Sequence, residues 1–286
     1  MSRFKVLLTV TTYPLPSKSY DELVCTAGVL EDGSWIRIYP MPLSFLRGLK
    51  IDGKLQSTKY TWIELNLKKR QDDFRPESYS PEDYSFKDLQ IGIKLDTKNY
   101  WEKRKLYCLK NIQYNMETLI EASKAPTNIS LATFKPTEIT NFIIQETERE
   151  WKPEWKAKFL QYQINFDNPS EEEKRKLSKK VPYTFYYEFT EISGKKRKLM
   201  IEDWEIGQLY WNCLRLCHQD EKLACAMVKK KYFDDFKAKN DIYFFLGTTK
   251  EWHTRRAKNP FVIIGVFYPP KQKEEQQLKL DFGNFL

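Results

Sequence analysis

Apolar and polar residues alternate through much of the first third of the chain, and helical spacing becomes prominent only towards the end. Phe4-Lys5-Val6-Leu7-Leu8-Thr9-Val10 reads as an apolar strand and Tyr60-Thr61-Trp62-Ile63-Glu64-Leu65-Asn66-Leu67 as a cleanly alternating one. Between them, residues 23–30 and Trp35-Ile36-Arg37-Ile38-Tyr39 flank Glu31-Asp32-Gly33-Ser34, which predicts a hairpin with an Asp-Gly turn. Several short strands broken by Pro and Gly suggest a small barrel or curled sheet. The middle is mixed. Residues 115–124 carry helical spacing at Met116, Leu119 and Ile120, and 130–136 and 139–144 read as strands. The polar stretch 166–180 predicts a linker, placing an N-terminal β-rich domain at 1–165 and a C-terminal α/β domain at 181–270. In the latter, 183–189 and 197–201 form a second hairpin around Ser193-Gly194, and 203–218 and 221–236 are helices. Residues 242–247 and 261–267 are strands so continuously apolar that both their faces must be buried. The expected class is α+β, a small β-barrel followed by an α/β domain.

Composition narrows the function. At 286 residues there is enough chain for two cores. No run approaches the roughly 18 to 20 apolar residues of a membrane span, so the expectation is a cytoplasmic protein without membrane contact. Five cysteines at irregular spacing define no disulfide framework and match no standard zinc pattern, and no metal or cofactor site is predicted. The net charge is +9, and its excess is concentrated in residues 101–200, with 19 basic against 14 acidic side chains. Lys174-Arg175-Lys176, Lys179-Lys180 and Lys195-Lys196-Arg197-Lys198 supply nine of these bases. Such a surplus attracts a polyanion such as DNA or RNA through counterion release.

Three groups of residues are candidates for chemistry. In the second hairpin, alternating aromatics lead into a basic turn, and Lys195, Lys196, Arg197 and Lys198 are placed to hold phosphates. Arg37 projects opposite Ile36 and Ile38, and with Arg75 and Glu77 on a Pro-bearing loop it could form a ligand site. Asp203 and Glu205 open a helix, where Asp203 is a natural N-cap. Combined with one of Lys229, Lys230 or Lys231, they could instead serve a metal-dependent nuclease. His253, on a loop with Arg255 and Arg256, could act as a general acid or base beside phosphate-binding arginines.

Two resemblances follow. Cys25-Thr26-Ala27-Gly28 with Trp35-Ile36-Arg37-Ile38-Tyr39-Pro40, Arg75-Pro76-Glu77-Ser78, Glu202-Asp203-Trp204-Glu205 and Phe244-Phe245-Leu246-Gly247-Thr248 resemble the motifs of an uncharacterised family of bacterial proteins, a resemblance that brings no activity with it. Near the end, Gln277-Leu278-Lys279-Leu280-Asp281-Phe282 resembles the Q-L-x-L-x-F peptide by which bacterial replication and repair proteins dock on the sliding clamp. In an extended chain, Leu278, Leu280 and Phe282 share one side and Gln277 supplies a polar anchor. It follows the polar run 271–276, whose composition is that of a flexible tail. These observations make a DNA-binding protein of bacterial DNA metabolism or genome defence, recruited by the clamp, the first expectation. A nucleic-acid-processing enzyme and a nucleotide-sensing module are the alternatives.

Overall fold

Strand pleating sends successive side chains to opposite faces, so the alternating segments near the N-terminus each present one face to a barrel interior. The structure, a computed structural model, describes residues 2–11, 15–16, 22–42, 50–51, 54–55, 58–153 and 179–272. The first nine strands are β1 (Ser2–Thr11), β2 (Leu15–Pro16), β3 (Glu22–Val29), β4 (Trp35–Pro42), β5 (Lys50–Ile51), β6 (Lys54–Leu55), β7 (Thr61–Lys69), β8 (Ser78–Pro81) and β9 (Gln90–Lys94). Five close a barrel in the order β1-β3-β4-β8-β7, with β7 returning to β1. On its other edge β7 carries β8 and β9 end to end. Val6, Leu8, Ile36, Ile38, Ile63, Leu65 and Leu67 fill the interior. Leu7, Val10, Ala27, Val29 and Trp62 belong instead to a second cluster on the outside. A register irregularity between Leu8 and Val10 is what turns Val10 outward beside Leu7, breaking strict alternation. At Gly28, a Cβ would lie 2.4 Å from the Leu7 carbonyl oxygen, so only glycine admits this close strand pair.

The second sheet comprises β10 (Ile112–Gln113), β11 (Leu131–Phe134), β12 (Glu138–Glu146), β13 (Tyr183–Thr190), β14 (Lys196–Ile201), β15 (Tyr243–Thr248) and β16 (Phe261–Phe267). Its order is β10-β11-β15-β16-β14-β13-β12, with parallel pairs at β10/β11 and β14/β16. The helices are α1 (Lys98–Cys108), α2 (Met116–Ala122), α3 (Trp204–Leu216), α4 (Glu221–Lys229), α5 (Phe236–Lys239) and α6 (Lys250–Thr254), with a π-helical turn at Lys230–Asp235. One sheet face is covered by α3 to α5, where Ile206, Tyr210 and Val228 meet Phe185, Tyr187 and Phe244. On the opposite face Phe245, Val262, Ile264 and Phe267 meet the outer residues of the barrel. Burial on both faces is therefore the reason β15 and β16 are continuously apolar.

The overall class is the α+β arrangement expected from the pattern. The seam between the two sheets, however, falls between β9 and β10 rather than at 166–180. Residues 131–134 pair with 244–247, and residues 138–146 pair with 183–190, so β10 to β12 belong to the second sheet. Nothing in the periodicity of a strand states which distant strand will hydrogen-bond to it. Among the described residues, no helix is long and apolar enough to cross a membrane. The peptide containing Gln277, Leu278, Leu280 and Phe282, and the bases Lys174, Arg175 and Lys176, lie outside the described residues.

Side chains from both units pin the joint. Arg75 donates to the Thr248 carbonyl at 2.9 Å, and Glu77 accepts from the Ser130 amide and hydroxyl at 2.9 and 2.8 Å. Trp204 packs against the barrel's interior cluster, and Lys59 pairs with Glu205 at 2.6 Å.

Candidate functional site

Where the barrel-facing side of the second sheet continues onto β14 and β13, a cavity of about 640 Å³ lies between the two units. Its size falls within the roughly 300 to 1,000 Å³ of small-molecule sites. The barrel contributes Arg37 and Tyr39 from β4, with Arg70, Asp73 and Arg75 from the segment between β7 and β8. The second sheet contributes Tyr183, Thr184, Phe185, Met200, Val262 and Ile264, and the ends of β14 and β15 add Glu202, Asp203, Thr248, Thr249 and Lys250. Trp151, Thr147 and Lys180 complete one wall. Gly247 also lines the cavity, at a point where a Cβ would come within 2.8 Å of Ile264.

Most lining cations are fixed by protein acceptors. Arg37, 3 % exposed, donates through Nη1 to the hydroxyls of Ser130 at 2.8 Å and Ser78 at 3.2 Å. Arg75 holds Asp73 with two bonds, from Nε at 2.9 Å and Nη2 at 2.6 Å. Burial alone would raise the Asp73 carboxyl, but the Arg75 bonds override it and hold it well below the ordinary carboxylate range. Arg70 pairs with Asp72 and stacks on the Tyr39 ring at 5.0 Å. The two lysines are less compensated. Lys250, exposed on α6, donates to the Asp72 carbonyl at 2.6 Å. Among the described residues, Lys180 has only the Glu150 carbonyl at 3.5 Å and the Glu148 carboxylate at 3.9 Å.

Of the three lining acids, Glu202 stands apart. It follows β14 directly, and its backbone amide bonds the Ile263 carbonyl. Its carboxyl has no hydrogen-bond partner among the described residues, and burial pushes it up to about 7. Asp203, by contrast, is 3 % exposed and caps α3 by accepting from the Glu205 amide at 3.0 Å. Among the described residues its Oδ2 is buried without a partner, and burial drives this carboxyl upward as well. Lys59 is the lysine that meets this helix start. Burial would lower its pKa, but Glu205, Tyr60 and Asp203 together raise it well above the usual value. Lys229, Lys230 and Lys231 are exposed and lie elsewhere, with Lys230 paired to Asp235. Among the described residues, no group of three or more His, Cys, Asp or Glu side chains is gathered to hold a metal ion.

The remaining candidates are dispersed. His253 is buried, its Nε2 facing the Ser123 carbonyl and its Nδ1 lying 3.0 Å from the Thr248 hydroxyl. Nε2 must carry the proton, Nδ1 accepts from the hydroxyl, and burial lowers its pKa, so the ring is a neutral brace for the end of β15. Arg255 pairs with Glu251 at 2.8 Å, and Arg256 is exposed just past α6. In the second hairpin, Lys195 pairs with Glu117, Arg197 bridges Glu117 and Glu191 at 2.8 and 2.7 Å, and Lys198 lies over the Tyr186 ring. Lys196 alone has no partner among the described residues. Arg37, Arg75, Asp203 and the neighbouring Glu205 thus gather around the cleft, while His253 and the basic hairpin do not line it.

In the sequence Glu202 stands only as part of the Glu202-Asp203-Trp204-Glu205 motif, an acid immediately beyond the apolar end of β14, Leu199-Met200-Ile201. Carboxyl ends of strands are where ligands commonly bind in α/β sheets, and that position was the available signal. The cleft thus lies between a small barrel and a mixed sheet. The chain belongs to the family described as a domain of unknown function (DUF8757), whose model matches residues 112–282, and the model of a second domain of unknown function (DUF8758) matches residues 2–110. The junction between the two matches coincides with the seam between the sheets. No curated protein matches the chain.

Proposed function

We propose that the protein is a nucleic-acid-binding module whose cleft holds one nucleotide unit, either free or presented on a DNA or RNA strand. The observation that carries this reading is the layered chemistry of one cavity. An apolar wall of Met200, Val262 and Ile264, with Trp151 also lining the cavity, suits the faces of a base. Lys180 and Lys250, the least compensated lining cations, suit a phosphate, and Glu202 offers a polar group that a base edge can satisfy. Asp203 and Glu205 are engaged in a helix cap and an interdomain ion pair, so binding rather than strand cleavage is the reading proposed. The Gln277 to Phe282 peptide supports recruitment by a sliding clamp, which would raise the local concentration at DNA and let modest contacts suffice.

Fluorescence anisotropy with labelled single-stranded and duplex oligonucleotides at low salt tests the cleft. The double variant Lys180→Glu, Lys250→Glu is expected to bind roughly tenfold or more weakly and to flatten the salt dependence by about one to two contacts. Competition by mononucleotides separates the two sources: displacement of the oligonucleotide points to a nucleotide pocket, and none to a strand-only site. Absence of binding to both oligonucleotides and nucleotides, or an unaffected double variant, ends the proposal. For the tail, a purified bacterial clamp is expected to bind the full chain and to lose Leu278→Ala, Phe282→Ala; equal binding of both removes the recruitment.

A further inference from the structure

We infer that Glu202 reads the pairing edge of a guanine, an inference that rests on the nucleotide reading of the cleft. Three carboxyl groups line the cavity, of which Asp73 is fully bonded, Asp203 is 3 % exposed with one oxygen capping α3, and Glu202 is partly exposed. Both oxygens of Asp73 receive bonds from Arg75. Glu202 is the carboxyl left for a ligand, since no described residue donates to it. Above about pH 7, the range in which the guanine preference is expected, its carboxyl is ionised and offers two acceptors and no donor. Leaving it unpaired on a largely apolar wall is costly, and a ligand bringing two adjacent N–H groups removes that cost.

Among the common bases, guanine alone presents two adjacent donors, N1–H and the 2-amino group, on its pairing edge. Adenine sets one donor beside one acceptor, cytosine one donor beside two acceptors, and uracil one donor between two acceptors. A guanine seated with its edge on Glu202 has Trp151 and the apolar Met200 and Ile264 lining the same cavity, and Lys180 and Lys250 to take its phosphate.

Calorimetric titration of the full chain with GMP, IMP, AMP and CMP tests this, using the wild type and Glu202→Gln. GMP is expected to bind tightest, and IMP, which lacks the 2-amino donor, roughly tenfold more weakly. Glu202→Gln is expected to weaken GMP roughly ten- to hundredfold and not to weaken AMP, because the amide sets one donor beside one acceptor, which opposes guanine's two donors and matches adenine's edge. Circular dichroism checks that the near-isosteric variant is folded. Equal binding of GMP and AMP, or an unchanged GMP affinity in the variant, overturns the guanine assignment while the cleft reading stands. No binding of any nucleotide or oligonucleotide overturns both.

Discussion

Strand β14 begins in a cluster of bases and ends beside an acid without a partner among the described residues, and its two ends have opposite electrostatic fates. At its start, Lys195 and Arg197 are met by Glu117 and Glu191, and Lys198 lies over Tyr186, so the most basic turn in the second unit is largely compensated. At its end, Glu202 meets no compensating group among the described residues. The charge density of a sequence is therefore a poor guide to the charge a ligand feels. What matters is whether the fold supplies a partner, and here it supplies one for the conspicuous run and withholds one from the inconspicuous residue.

The largest expected effect comes from breaking the compensated end. Glu191 is fully buried, accepts from the Met116 amide at the start of α2, and is held by Arg197 through Nε at 3.0 Å and Nη2 at 2.7 Å. Removing Arg197 leaves a buried carboxylate without its cation. Arg197→Ala is expected to lower stability by about 2 to 4 kcal/mol in urea denaturation, with nucleotide affinity in the cleft unchanged. An unaltered midpoint combined with weaker nucleic-acid binding would return the hairpin to the binding surface and invert the comparison.

A smaller, pH-dependent effect is expected at the other end. Glu202 titrates near 7 in the folded chain, against an ordinary value of about 4.3. Between these values the folded state holds the proton more tightly than the unfolded one, so this residue's contribution to stability falls as pH rises and its penalty is complete above about 7. Glu202→Gln removes a group that disfavours the fold when ionised. The variant is expected to be more stable than the wild type by about 1 to 3 kcal/mol at pH 8 and indistinguishable from it near pH 4. Asp73 has the opposite sign, because its depressed pKa adds stability that is lost as pH falls below about 4. It is shared by both proteins and cancels. A gain independent of pH would mean that Glu202 is not desolvated.

The local parts of this arrangement were legible in the chain. The alternation of β7, the hairpins at residues 31–34 and 193–194, and the capping of α3 by Asp203 all follow from short-range rules. Partnerships across the fold were not. Lys59 meets Glu205 from 146 positions away, Glu117 reaches Lys195 across 78, and β11 pairs with a strand more than a hundred residues later. Tertiary pairing also moved the seam between the units upstream and turned His253 from a loop acid–base candidate into a buried brace. Glu202 was hardest to single out, because its distinction is the lack of a partner, and no sequence pattern encodes what fails to come near.

The smallest effect sharpens the comparison most, since it concerns the bases the fold leaves least engaged. Lys196 has no described partner and Lys198 has only the Tyr186 ring, 4.3 Å from its Nζ. If the turn touched a nucleic-acid backbone, neutralising both would remove up to two phosphate contacts and reduce the slope of log K against log salt by up to about two. The compensated turn leads to a different expectation for Lys196→Gln, Lys198→Gln. Its denaturation midpoint should stay where it is, and its salt slope should change by about one at most. A loss of two, with the Lys180→Glu, Lys250→Glu protein unaffected, would place the polyanion on the hairpin and leave the cleft for a ligand without phosphate.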